Sequence, residues 1–238
     1  MRSRPVDSRY SDGGYLRRHP DWHETDADWK AGKVAALLQR ERVPCASLAD
    51  VGCGTAGVLH RLAELLDPPP RLVGFEPSPD AFRLASERGR GDAPVELVNG
   101  TLRDGDRFDV LLALDVIEHV PDLYGFLSSL HEHADAFVFH VPLDLSVQGV
   151  ARRTALLDAR RDLGHVHWFT AETLRETLAE SGFAVHAAEY TLPSVELPGG
   201  GLKRRIAAIP RRLGARLSPS LTARLLGGCS LLVLARPR

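Results

Sequence analysis

A chain of 238 residues, 44% of them hydrophobic, can bury one good core, and it is read as one domain with appendages. Its 30 Lys plus Arg stand against 31 Asp plus Glu, and a formal net charge of -1 gives no global drive toward nucleic acid or membrane. Three widely separated cysteines, Cys45, Cys53 and Cys229, argue against a disulfide framework or a zinc knuckle. No apolar run is long enough to span a bilayer and the polar Met1–Pro20 stretch lacks a signal-peptide core, so a cytoplasmic protein without a transmembrane segment is expected.

In chain order, the spacing of Trp29, Val34, Leu37 and Leu38 predicts a helix over Asp28–Arg40, ended by Pro44. Short apolar runs then alternate with helical patterns. Strands are expected near Leu48–Gly52, Leu72–Glu76, Val95–Val98, Phe108–Leu114 and Ala136–Val141, with helices near Gly57–Leu66, Asp80–Arg88 and Asp122–His133. Such alternation implies parallel strands joined by helical crossovers: an α/β fold with a doubly wound, mostly parallel sheet. Farther on, Thr170 reads as an N-cap with Glu172 in the first turn, Leu174 and Leu178 at helical spacing, and Gly182 at the end.

Phe183–Tyr190 and Ser230–Ala235 read as the last strands, and residues 192–228 between them, rich in Pro and Gly, as a lid-like insertion of broken helices. Within the insertion Leu202, Ile206, Ile209, Leu213 and Leu217 recur at helical spacing, a basic amphipathic pattern that Pro210 is expected to interrupt. From Leu197 onward there is no acidic residue, against Lys203, Arg204, Arg205, Arg211, Arg212, Arg216, Arg224, Arg236 and Arg238. A solvated outer face of the lid is the default reading of that stretch. The expected division is a cap segment over 1–44 and one domain over 45–238.

Leu48-Ala-Asp-Val-Gly-Cys-Gly-Thr-Ala-Gly57 places Gly52, Gly54 and Gly57 at a strand-to-helix turn, with Cys53 between the first two, where missing β-carbons let a ligand lie against backbone. The glycines alone would also suit a dinucleotide. Asp50 separates the readings, because a carboxylate there opposes a pyrophosphate and attracts an ammonium. Glu76, at the end of the second strand, is placed to accept hydrogen bonds from both hydroxyls of a ribose.

With these residues in view, the chain from about Leu48 to Ala235 resembles the class I S-adenosylmethionine-dependent methyltransferases. Asp50–Gly57 looks like their first motif, Gly74-Phe-Glu-Pro-Ser-Pro79 like their acidic second-strand motif, and Phe108–Pro121 like their fourth-strand motif. The resemblance implies a cofactor site of Asp50, Gly52, Cys53, Gly54, Glu76, Pro77 and Asp115. It also sets the loop Asn99-Gly100-Thr101-Leu102 toward the adenine, where the frequent Asp of the family is absent. Tyr10, Tyr15, Trp22, Trp29, His23 and Lys30 sit where the fold commonly caps the cofactor. Lys30 would then pair with the methionine carboxylate; ordinary packing of a surface helix is the other reading.

Asp115, Glu118 and His119 follow the fourth strand and, if helical, share one face. Such a set suits a hard divalent cation, or His119 as a lone base, and equally a helix cap, a solvated acid and a histidine packed beside the cofactor. Together with Gly164-His-Val-His-Trp-Phe-Thr170, this segment resembles the metal-dependent branch of the family, which implies Asp115, Glu118, His119 and His165 as ligands. His140, at the end of the fifth strand, is a candidate for the substrate pocket, with a hydrogen-bonded core histidine as the favoured reading, and His167 and Trp168 are read as core or wall. The expected function is methyl transfer from S-adenosylmethionine to a hydroxyl of a small molecule, with His119 and His165 catalytic. An RNA or other macromolecular acceptor is the second reading; a nicotinamide-dependent reductase and an inactive nucleoside-binding module are the readings of different class.

Overall fold

The computed structural model describes residues 24–88, 95–152, 154–197 and 202–238; Tyr10, Tyr15, Trp22 and His23 lie outside them. After a 3-10 turn at Glu24–Asp26, helix α1 (Ala27–Arg40) buries Ala27, Ala31, Val34, Ala35, Leu37 and Leu38. Their spacing lays one apolar stripe along the helix, and that stripe packs on α2 (Gly57–Leu65). Four strands follow the expected alternation: β1 (Ser47–Val51), β2 (Arg71–Glu76), β3 (Val95–Asn99) and β4 (Phe108–Leu114), with α3 (Pro79–Arg88) between β2 and β3. In β1, β2 and β4 nearly every residue is buried, because a parallel strand covered on both faces has no solvated side.

The remaining elements are α4 (Leu123–Ser129), β5 (Ala134–Pro142), α5 (Val147–Ala151), α6 (Ala155–Asp158), α7 (Ala171–Glu180), β6 (Phe183–Thr191), α8 (Pro193–Glu196), α9 (Leu202–Leu217), α10 (Pro219–Leu226) and β7 (Ser230–Pro237). The seven strands form one sheet in the order β3-β2-β1-β4-β5-β7-β6. β1 pairs in parallel with β2 and β4, and β2 with β3, so that Asp50 is in register with Gly74 on one side and Leu112 on the other. The chain runs outward from β1 to β3 and then returns to the other side of β1 with β4. That reversal is the switch point at which open α/β sheets hold their ligands, beyond the carboxyl ends of the strands.

Two compact units divide the chain. One comprises the residues up to Val116 with Ser129–Val138 and Pro237, and so includes α1 with the first four strands; the other comprises Ile117–Ser128, Phe139–Arg236 and Arg238. Within the first, Phe75 and Phe108 meet edge to face; within the second, Phe139 and Phe183 do the same at 5.3 Å between ring centroids.

Two elements depart from the sequence reading. The helix expected over Asp122–His133 stops at Ser129, and only a 3-10 turn follows at His131–His133, since β5 begins at Ala134 and takes up the chain two residues early. Pro210 does not interrupt α9, which runs through it. A proline inside a helix costs ~3 kcal/mol, and here the residue beside it offsets that loss. Arg211 donates to the carbonyls of Leu226 and Gly227 and to Gln148 Oε1.

Candidate active site

At the carboxyl end of β1 the chain turns through Gly52, at φ 75, and its N–H donates to the Phe75 carbonyl at 2.8 Å. A β-carbon at Gly52 would come within 2.9 Å of Val116 Cγ2, so both the dihedral and the space demand glycine. Cys53 points the other way: its Sγ fills the room left by Gly74, where a β-carbon would lie 2.7 Å from it. Burial pushes the thiols of Cys45 and Cys229 up to about 11 and that of Cys53 well above its ordinary value, so all three are packing groups rather than nucleophiles.

Glu76 organises the corner. Its Oε2 accepts from the Gly54 N–H at 2.9 Å and its Oε1 from the Ser78 N–H at 2.7 Å, while its carbonyl accepts from Gly100 N–H and the Asn99 side-chain amide. Burial pushes its carboxyl up to about 7 against the two N–H bonds that hold it down. Asp50 is 3% exposed, and its Oδ1 has no hydrogen-bond partner among the described residues. Burial pushes Asp50 up to about 8, opposed by the charge of Lys30 and helped by that of Glu76. A cationic or hydroxyl-bearing ligand is what two such acids call for. In the neighbouring loops Pro77 and Thr101 are exposed, and Gly100 and Leu102 half-buried.

Lys30 lies between two acids. Its Nζ lies 2.6 Å from Asp115 Oδ2 and 3.0 Å from Asp26 Oδ2. Burial by itself would lower the pKa of this ammonium, but Asp115 and Asp26 outweigh it and hold the group above its ordinary value. Asp115 itself is in the left-handed region, at φ 55, and the chain leaves β4 there. Only a 3-10 turn, Ile117–His119, follows. The α-helical face that Asp115, Glu118 and His119 would share if helical is therefore absent.

In the second unit, Glu118, His119 and His165 come together, each offering one ligand atom within 4.8 Å of the others; Asp115 is not among them. The Glu118 carbonyl accepts from the N–H groups of Val166 and His167, which is how a segment far along the sequence is held at this turn. The imidazoles of His119 and His165 stand edge to face at 4.9 Å. His165 Nδ1 lies 2.5 Å from Asp144 Oδ2, so the ring donates there and leaves Nε2 as its basic nitrogen. Asp144 was not singled out in the sequence; an acid just beyond the carboxyl end of β5 was the available signal. His140 is buried and bonded to Thr191 Oγ1 at 2.9 Å, a core histidine, and His167 Nε2 bonds to the Val120 carbonyl.

A doubly wound sheet with a glycine turn and two buried acids at its switch point defines an enzyme fold built for a nucleoside cofactor. Residues 22–188 match the model of a family described as methyltransferase domain, and the chain belongs to that family, within the class I S-adenosylmethionine-dependent methyltransferases. Among curated relatives, it is 34% identical over 86 residues to a ubiquinone biosynthesis O-methyltransferase of Methylobacterium nodulans, covering 34% of this chain and 33% of the relative. It is 30% identical over 116 residues to a tRNA U34 carboxymethyltransferase of Sulfurimonas denitrificans, covering 46% and 38%. The chain thus spans about a third of the length of the curated relatives it matches. Its fold is that of a magnesium protoporphyrin IX methyltransferase from Synechocystis solved with bound S-adenosylmethionine, at a TM-score of 0.61, 12% identity and 100% coverage of both chains.

Proposed function

We propose that this chain transfers the methyl group of S-adenosylmethionine to a hydroxyl of a small molecule, with His119 and His165 as catalytic residues. The sulfonium of that cofactor supplies a methyl carbon already activated for transfer, so the protein has to align the acceptor's lone pair and keep water out. An amine needs little more, whereas a hydroxyl must also lose its proton. The observation that carries the reading is the His165–Asp144 pair beside His119 and Glu118, soon after the end of β4. Asp144 fixes the tautomer of His165 and leaves Nε2 to take the hydroxyl proton. Glu118, His119 and His165 also fit a divalent cation, which would lower the pKa of the hydroxyl.

For the cofactor, Asp50 meets the ammonium, and its buried Oδ1 supports this, since such an atom needs a donor. Glu76, with two acceptor positions beyond its two N–H bonds, takes the ribose hydroxyls, and Gly100, Thr101 and Leu102 line the adenine. The O-methyltransferase named above supports oxygen as acceptor atom. A nucleic-acid acceptor is the second reading, favoured by the tRNA-modifying relative and by the acid-free basic stretch after Leu197.

Turnover with a hydroxyl-bearing acceptor tests the reading. His119→Ala and His165→Ala are each expected to lose about 10²- to 10⁴-fold in rate while S-adenosylmethionine affinity holds. Chelator abolishes turnover if the cluster holds an ion and leaves it unchanged if His165 acts alone. Near-normal turnover in both variants would make the cluster structural and end the proposal; methyl transfer to RNA alone would promote the second reading.

A further inference from the structure

The hairpin of α9 and α10 wears its apolar side chains outward. On α9, Ile209, Leu213 and Leu217, one turn apart, are 53%, 55% and 89% exposed. On α10, Leu221 and Leu225 are 55% and 51% exposed, while Thr222 and Ala223 are buried. A surface helix ordinarily does the reverse, hiding its long aliphatic side chains and showing small or polar ones. The hairpin does not depend on these five residues for cohesion. Gly214 lies so close to α10 that a β-carbon there would be 2.6 Å from Thr222 Oγ1, and Arg211 ties α9 to the carbonyls that end α10. The neighbouring helix α5 adds exposed Val147 and Val150.

Charge identifies what covers this face. Arg212 and Arg216, both exposed, follow Ile209 and Leu213 by three residues and form the row beside the apolar stripe. From Leu197 onward the sequence has no acid, and Lys203, Arg204 and Arg205 add to the positive charge of α9. Nucleic acid would engage the arginines and leave the leucines in water. A second copy of the same face would set arginine against arginine. A bilayer of anionic phospholipid satisfies both features, with acyl chains for the leucines and phosphates for the guanidinium groups.

We propose that the α9–α10 hairpin is an interfacial anchor that lies in the plane of an anionic membrane surface. Sixteen residues of α9 make about 24 Å of helix. Among the described residues no helix is long and apolar enough to cross a membrane, so the contact is superficial.

The test is flotation of the full chain with vesicles of phosphatidylcholine alone or mixed with phosphatidylglycerol. Binding is expected on the mixed vesicles, at least 10-fold weaker on the neutral ones, and reduced by salt. Leu213→Asp with Leu217→Asp should cut binding at least 10-fold, with the circular dichroism spectrum and S-adenosylmethionine affinity unchanged. Arg212→Gln and Arg216→Gln should each weaken it about fivefold. Equal binding to neutral and anionic vesicles, or retention by the aspartate variant, overturns the proposal. So does a wild type that ignores vesicles and instead dimerises through the leucines, or binds RNA with a steep salt dependence.

Discussion

Replacing Asp50 by asparagine is expected to move stability and cofactor affinity in opposite directions. The side chain is 3% exposed, and burial takes its pKa from 3.8 to about 8. An unfolded chain releases this proton near 3.8, while the folded protein keeps it until about 8, so stability falls as the pH climbs through that window. By pH 7 the chain has crossed about three units of it, worth on the order of 4 kcal/mol. Asparagine resembles the protonated acid at every pH and escapes the loss. Asp50→Asn should therefore raise Tm of the cofactor-free protein by roughly 10 °C at pH 7 and hardly at all at pH 4. On the proposed reading the same change also removes the charge that strengthens the hydrogen bond to the ammonium, worth about 1.5–3 kcal/mol, so S-adenosylmethionine should bind about 10- to 100-fold more weakly. Thermal unfolding and titration calorimetry at the two pH values measure both effects. A variant that is less stable at pH 7, or that binds as tightly as wild type, would refute the assignment.

Gly52→Ala forces a β-carbon into a left-handed turn and onto Val116, so a loss of about 1–3 kcal/mol in urea unfolding and failure to bind S-adenosylmethionine are expected. Wild-type affinity in that variant would mean that the turn does not meet the cofactor. Asp144→Asn, which leaves His165 without its carboxylate partner, should lower kcat about 10²- to 10⁴-fold and shift its pH profile with little change in KM. An unmoved profile would make Asp144 a packing residue.

What was legible in the sequence was local. β4 matches its expected bounds, and Thr170 caps α7 as read, its side chain accepting the Thr173 N–H. The places of Asp50 and Glu76 toward strand ends and of Gly52 in a turn were legible because such features are set by neighbours a few residues away. Pairings across long separations were not legible. Lys30 and Asp115 are 85 positions apart, and the ion pair between them follows from how α1 packs, which no periodicity records. Asp144 and His165 meet because the Glu118 carbonyl holds the 165–167 segment, a backbone contact that carries no residue signature. The α-helical spacing considered for Asp115, Glu118 and His119 is absent for a related reason, since a positive φ at Asp115 cannot be read from an aspartate. In α9 the helical spacing was visible, but the pattern alone could not say that its apolar stripe faces outward.

One residue at the end of β2 ties the glycine turn, the start of α3 and the loop after β3 to a single point, through both its carboxylate and its carbonyl. That makes Glu76 a constraint on the history of this chain. An acceptor site can be remodelled one substitution at a time, each intermediate keeping some activity. This corner offers no such gradual route. Shortening the side chain by one methylene, as in Glu76→Asp, would release the glycine turn and the start of α3 together, and on the proposed reading any lineage that lost the glutamate would also have had to replace its way of holding a ribose.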